Sequence, residues 1–165
     1  LLNLKSIESG GGFNKNGIKY FKGDYKKSYL AQNNDLLIAC TDLTRAGNIV
    51  GYPLSPSVYQ DKKMLFTMDL AAIQIMSKEL LKDYLYYALK SDWIHWKFFS
   101  HSPGTTVLHL DIKGLLKNLK IPRFPIEDQL TITKRLAELD KNIQELDSVL
   151  QSTNLLQKSL INQVF

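Results

Sequence analysis

Cysteine occurs once in the 165 residues, which excludes an internal disulfide framework. That residue, Cys40, ends the apolar run Leu36-Leu37-Ile38-Ala39-Cys40, where a thiol is expected to be a small buried core group and not a nucleophile. Cysteine usage sets nothing against a cytoplasmic location, which is the location expected. No apolar run approaches the roughly 18 residues that a membrane span needs. The first residues also lack a basic n-region and a signal-like apolar core, so no membrane partner is expected. The chain begins at Leu1 and not at Met, and it is expected to be a fragment with N-terminal elements missing.

Reactive constellations are equally sparse. The three histidines, His95, His101 and His109, contain no i, i+4 pair, and no cysteine or carboxylate cluster completes a metal set. Gly10-Gly11-Gly12 lacks the Lys-Ser/Thr of a phosphate-cradling loop and reads as a flexible turn. There is no Asn/Asp-Pro-Pro-aromatic motif of the kind an amino-methyltransferase uses to hold a flipped base. Asp35, Asp42 and Asp69 are scattered and read as turn or surface carboxylates. His95, among aromatics, reads as packing. No catalytic residue, metal or cofactor is expected in this chain, and the absences point to a binding subunit.

Proline and glycine are missing altogether after Pro125. Ahead of that stretch, Pro122 and Pro125 impose an extended junction, because each restricts its own φ and disfavours helix in the residue before it. Pro125 can start a helix, and Glu127 and Asp128 lie where a first turn favours negative charge. Ile132, Leu136, Leu139, Ile143, Leu146 and Leu150 are then spaced 4-3-4-3-4, the spacing of a coiled-coil seam. Thr153 and Gln157 interrupt the seam before it resumes at Leu160 and Val164, while Leu155 and Leu156 lie beside the interruption and can shift the stripe to another face. A helix of about 38 residues would span roughly 57 Å. The alternative is a long helix folded onto its own domain.

Charge is uneven. Residues 1–125 hold 17 Lys/Arg and 10 Asp/Glu, a net +7, and residues 126–165 hold 4 and 6, a net −2. A basic body fits phosphate-backbone binding without requiring it. Within that body, residues 18–21, 36–40, 48–54 and 107–110 read as strands, and 65–76 as one long or two short strands. Leu81, Tyr84, Leu85, Ala88 and Leu89 fall on one helical face. Ser91-Asp92 can cap a second helix, and Asp111 a third. The fold class expected is α+β: a mixed recognition body over 1–122, then a long helix over 123–165.

Basic, hydroxyl and amide groups collect in loops. Lys19, Tyr20 and Lys22 interleave charge with an aromatic. Thr41, Thr44, Arg45 and Asn48 lie between two expected strands, and His101 and Thr105 occupy a polar loop. Arg reads guanine bidentately, Asn reads adenine, and Thr and Lys suit phosphates. Each of these residues taken singly is more often a solvated loop residue.

In order along the chain these features resemble the specificity subunit of type I restriction-modification systems, as one half of such a subunit: one target recognition domain and one of two helical regions. Gly17-Ile18-Lys19-Tyr20-Phe21-Lys22-Gly23-Asp24 is similar to the family's opening strand. Asn34-Asp35-Leu36-Leu37-Ile38-Ala39 through Gly47-Asn48-Ile49-Val50-Gly51 is similar to its apolar strand, polar loop and return strand. Tyr84-Leu85-Tyr86-Tyr87-Ala88-Leu89 is similar to the helix that follows its central strands. The most specific set is Gly104-Thr105-Thr106, Leu110, Leu119, Ile121-Pro122, Pro125, Asp128-Gln129 and Leu139-Asp140-Lys141-Asn142-Ile143. The family often has a second Pro or a Leu near Phe124-Pro125, and a Glu where this chain has Asp128.

The resemblance implies a non-catalytic subunit that binds double-stranded DNA and docks an adenine methyltransferase (modification) subunit, which uses S-adenosylmethionine, with a restriction/motor subunit added. It also implies helices paired as an antiparallel coiled coil. A half-size chain is then expected to form a homodimer through Ile132, Leu136, Leu139, Ile143, Leu146, Leu150 and Leu160. Other readings are the recognition region of a fused adenine-N6 methyltransferase, or a coiled-coil adaptor that does not bind DNA.

Overall fold

The structure is a computed structural model that describes residues 1–59 and 63–165. The polar stretch 55–63 reads from its sequence as a loop, and within it 60–62 lie outside the described residues. A small body is built on strand β1 (Asp35–Ala39), whose five residues are all buried. A strand buried on both faces reads as a continuous apolar run and not as an alternation, and Leu36-Leu37-Ile38-Ala39 is such a run. β1 pairs antiparallel with β3 (Leu70–Gln74), from Asp35↔Gln74 to Ala39↔Leu70. On its other edge, the Gly51 N–H donates to the Ala39 carbonyl at 2.8 Å and the Leu54 N–H to the Leu37 carbonyl at 2.8 Å. A second short ladder joins β2 (Thr41–Asp42) to β4 (Leu108–His109), with Thr41↔His109 and Asp42↔Leu108.

Two apolar clusters meet at β1. Leu37 and Ala39 face one formed with Leu2, Leu54, Tyr59 and Phe66. Leu36 and Ile38 face the other, against Leu85, Leu89, Ile94, Phe98 and Leu115. The second cluster is the inner face of helices α1 (Lys82–Leu89), α2 (Asp92–Ser100) and α3 (Ile112–Asn118). Asp111 caps α3 as expected, accepting from the Gly114 N–H at 3.1 Å. Ser91 occupies the N-cap of α2, but its hydroxyl donates to the Ala88 carbonyl and does not cap.

Three expected strands are corrected. Residues 18–21 form none: the main chain of Lys19 bonds to Leu1, and Tyr20 and Phe21 face solvent, leaving no apolar face to bury. Residues 48–54 follow the edge of β1 irregularly, because Gly51 has φ +79 and only Pro53 makes a bridge, to Ile38. Residues 65–76 contract to β3, preceded by single bridges at Leu65 and Phe66.

Helix α4 (Ile126–Val164) runs for 39 residues with Pro125 at its N-cap, about 58 Å at 1.5 Å per residue. Its root is fixed to the body by a fully buried side chain, Gln129. The Gln129 carbonyl oxygen accepts from the Leu81 N–H at 2.9 Å, and its amide donates to the Glu79 and Phe124 carbonyls at 2.8 and 2.7 Å. One turn beyond Leu136, Asp140 pairs with Lys90 at 3.5 Å, and the Lys90 ammonium lies over the rings of Tyr86 and Tyr87. Ile132 and Leu136 are half-buried, whereas Leu139, Ile143, Leu146, Leu150 and Leu160 are exposed. No helix among the described residues is long and apolar enough to cross a membrane.

Candidate nucleic-acid interface

The Leu36-to-Asp42 stretch runs from β1 into β2 and ends on a carboxylate. Asp42 is 2% exposed. One of its oxygens accepts from the Thr44 N–H at 2.9 Å and the Thr44 hydroxyl at 2.8 Å, and the other accepts from the Ile49 N–H at 2.8 Å. A short carboxylate bonding main-chain donors two and seven residues ahead closes a loop around itself. Leu43, Thr44, Arg45, Ala46 and Asn48 are left on the outside.

The same loop lies flat on α2. Gly47 has φ +65, and a Cβ there would sit 2.3 Å from the Phe99 ring. Behind it, Tyr52 and His95 stack with centroids 4.0 Å apart and planes 7° from parallel. Burial lowers the His95 pKa, against opposing pulls from the backbone of Val50, from Asp92 and Asp42, and from the backbone of Gly47. The buried His95 Nδ1 has no hydrogen-bond partner, and burial favours the neutral ring.

A second loop, 101–107, leaves the body at the same end. The antiparallel register Asp42↔Leu108 puts the exit from β2 beside the approach to β4. The Leu110 N–H donates to the Cys40 carbonyl at 2.9 Å, and the Asp111 N–H to the His101 carbonyl at 2.8 Å. Gly104 has φ +151, and its position admits no Cβ, which would meet the Val107 carbonyl oxygen. Thr105 is exposed. His101 is half-buried at the C-cap of α2, with Nδ1 2.9 Å from the Lys97 carbonyl oxygen.

The expected contact residues therefore separate. Thr44, Arg45, Asn48 and Thr105 are brought to one end of the β2–β4 ladder. Lys19, Tyr20 and Lys22 are exposed on the N-terminal segment, which is anchored to Leu1. Thr41 is a correction: as a ladder residue of β2 it is 6% exposed, so its side chain offers nothing to a surface ligand. Thr44 spends its hydroxyl proton on Asp42, leaving only acceptor capacity outward. Asp42, expected as a turn or surface carboxylate, is instead a buried one that organises its loop, and Gln129, in the sequence only a member of the Asp128-Gln129 motif, is buried as an anchor. A hydrogen-bonding partner many residues away is invisible in a one-dimensional reading, although Asp followed two residues later by Thr is a local turn signal.

The Cys40 thiol is half-buried, its Sγ 3.5 Å from the Met68 carbonyl oxygen. Burial raises its pKa, so it is a poor nucleophile. Among the described residues, no three His, Cys, Asp or Glu side chains are grouped to hold a metal ion.

Residues 5–152 match the family model described as the type I restriction modification DNA specificity domain. The chain is 27% identical over 139 residues to the Type I restriction enzyme MjaVIII specificity subunit of Methanocaldococcus jannaschii, covering 84% of this chain and 30% of that protein. It shares its fold with the type I restriction-modification system S subunit from M. genitalium, with a TM-score of 0.55 and 23% identity over 90% of this chain and 37% of that one. The chain thus spans about a third of the length of the relatives it matches.

Proposed function

The chain belongs to the type I restriction modification DNA specificity domain family, and from that premise we propose that it reads one half-site of a double-stranded DNA target with the loops that follow β2 and precede β4. The family and the matched relatives are specificity subunits, which are non-catalytic. In this proposal residues 1–122 are the recognition domain and 123–165 the helix that spaces it. The helix pairs with a second copy and docks an adenine methyltransferase subunit that uses S-adenosylmethionine. A restriction/motor subunit completes the assembly in the cytoplasm.

The observation that carries the reading is the Asp42-centred loop. It is rigidly tied from within, yet presents Arg45 and Asn48 outward beside Thr105. Rigid loops suit recognition because little ordering entropy remains to be lost on binding. Arg45 and Asn48 are the residue types that read purine edges, and Lys19 and Lys22 supply phosphate contacts that carry no sequence information.

The test is to co-express the chain with a cognate modification subunit, map methylated adenines genome-wide, and follow DNA binding of the complex over a salt series. A bipartite palindrome and an affinity that falls steeply with salt are expected. Arg45→Ala should weaken binding by roughly 5–150-fold and relax one position of the site. An asymmetric site would remove the second copy from the proposal. Absent or salt-insensitive binding would remove DNA recognition itself.

A further inference from the structure

Helix α4 meets the body at two polar points with an apolar groove between them. Gln129 makes the first, fully buried and bonded to Leu81, Glu79 and Phe124. Asp140 makes the second, about 16 Å further along the axis, where its carboxylate accepts from the Lys90 ammonium at 3.5 Å. Between them Ile132 and Leu136 line a groove of about 240 Å³ together with Tyr84, Ala88, Trp93 and Phe124. Close apolar packing is what usually holds a helix axis still, and over this stretch it is incomplete. The direction of the axis is left to the second polar point.

Lys90 is itself held from several sides. It is the C-cap residue of α1. Its ammonium lies 5.3 Å from the Tyr86 ring centroid and 5.6 Å from that of Tyr87. Its stem lies against the glycine loop, since a Cβ at Gly11 would come 3.0 Å from the Lys90 Cγ. Only 24% of the side chain is exposed. A lysine whose stem is packed and whose head is confined can act as a fixed point, whereas a free surface lysine must first give up its rotamer freedom.

Past Asp140 the body gives the helix no further support, because every residue from 141 to 164 is exposed. That overhang is about 36 Å long. A swing of about 10° at the joint would move the tip by about 6 Å, nearly two base-pair rises of about 3.4 Å. We propose that Lys90 and Asp140 are positioning residues, whose contact fixes the direction in which α4 leaves the body and thereby the number of base pairs accepted between two half-sites. The direction is a property of one chain; the spacing rests on the half-site reading above.

Electron–electron double resonance between spin labels at Lys113→Cys on α3 and Ser159→Cys on α4 reads the direction. The labelled chain carries Cys40→Ser and is diluted into unlabelled protein. With Lys90 and Asp140 intact it should give one narrow distance distribution. Asp140→Ala and Lys90→Met should each widen it by about 5 Å or more, the travel of that label in a swing of about 10°. Lys90→Arg, which keeps the cation, should leave it narrow. A partly exposed ion pair adds little to stability, so far-UV circular dichroism should be unchanged throughout. An unchanged width in folded Asp140→Ala would overturn the proposal, as would a Lys90→Arg variant as broad as Lys90→Met. In the methylation map of the complex, wild type should accept one gap, and Asp140→Ala should also accept gaps about one or two base pairs longer or shorter. A broadened distribution with an unchanged gap would overturn the spacing role alone. If even the wild type methylates no bipartite site, the half-site reading fails, and the distance distribution still decides the joint.

Discussion

Gln129 is the side chain on which the position of the long helix depends, and its removal has a calculable cost. Gln129→Ala deletes three hydrogen bonds, to the Leu81 N–H and the Glu79 and Phe124 carbonyls. At about 1 kcal/mol net per bond, plus the penalty for a half-buried N–H left unpaired, the loss comes to about 3–4 kcal/mol. Against a total stability of about 5–15 kcal/mol for a domain, that is a large fraction.

Gln129→Glu sharpens the argument. It keeps the shape and the acceptor for Leu81 but turns the donor into a carboxylate oxygen facing two carbonyls. Such a carboxyl is driven to stay protonated when folded, so its pKa rises above the ordinary value of about 4.3. A raised folded pKa means stability that is present at low pH and lost as pH rises through the folded value. Urea unfolding followed by Trp93 and Trp96 fluorescence at pH 7 and pH 4.5 measures both variants. Gln129→Glu should lose more than Gln129→Ala at pH 7 and recover part of the deficit at pH 4.5. A Gln129→Ala variant within about 0.5 kcal/mol of wild type would refute the assignment, as would a pH-independent Gln129→Glu deficit.

Other perturbations address the loop and its support. Asp42→Ala leaves the Thr44 and Ile49 N–H groups without their acceptor. It should speed amide exchange across 43–49 and lower DNA affinity at least as much as Arg45→Ala. Gly51→Ala places a Cβ 2.3 Å from the Phe98 ring at φ +79; a loss of about 2–3 kcal/mol and a Tm lower by about 5–10 °C are expected by calorimetry. His95 is held below the ordinary imidazole value of about 6.5 by burial, so the unfolded chain takes up the proton first. Stability present above about pH 6.5 should fall as pH drops toward the folded value, and His95→Phe, which keeps a ring against Tyr52, should flatten that dependence in urea midpoints at pH 7.5 and 5.5. Tyr86 is pushed up to about 12, first by burial and then by Asp140. Its contribution is whole below about pH 10 and lost as pH rises toward 12, and Tyr86→Phe should reduce alkaline unfolding between those values.

How much of this was readable in one dimension depends on the range of the interaction involved. The long helix was readable because its apolar spacing, its flanking prolines and its freedom from Pro and Gly are all local. Asp111 as a cap and residues 36–39 as a buried strand were readable for the same reason, whereas Cys40, expected in the core, lies past the end of the strand and is half-buried. The expected strand at 18–21 failed because β-propensity has no force without a neighbour to supply a ladder. The strand at 48–54 failed because Gly51 and the packing of Phe98 bend the chain where alternation would keep it straight.

Residue chemistry behaved likewise. Arg45, Asn48 and Thr105 were visible as polar groups in loops, but their placement at one end of the body required the Asp42↔Leu108 register. Thr41 was indistinguishable from Thr44 until the ladder buried one and exposed the other. Gln129 was visible only as a letter of a motif, since its partners are up to 50 residues away.

By itself, then, the amino-acid order determined a basic body and a long helix that carries an apolar stripe. Those properties follow from local propensity, periodicity and charge. Tertiary structure decided which polar side chains face outward together, and that the first two seam residues belong to a groove while the later ones stay bare. Burial and hydrogen bonding between distant segments make those decisions, and neither is a property of any single stretch of chain.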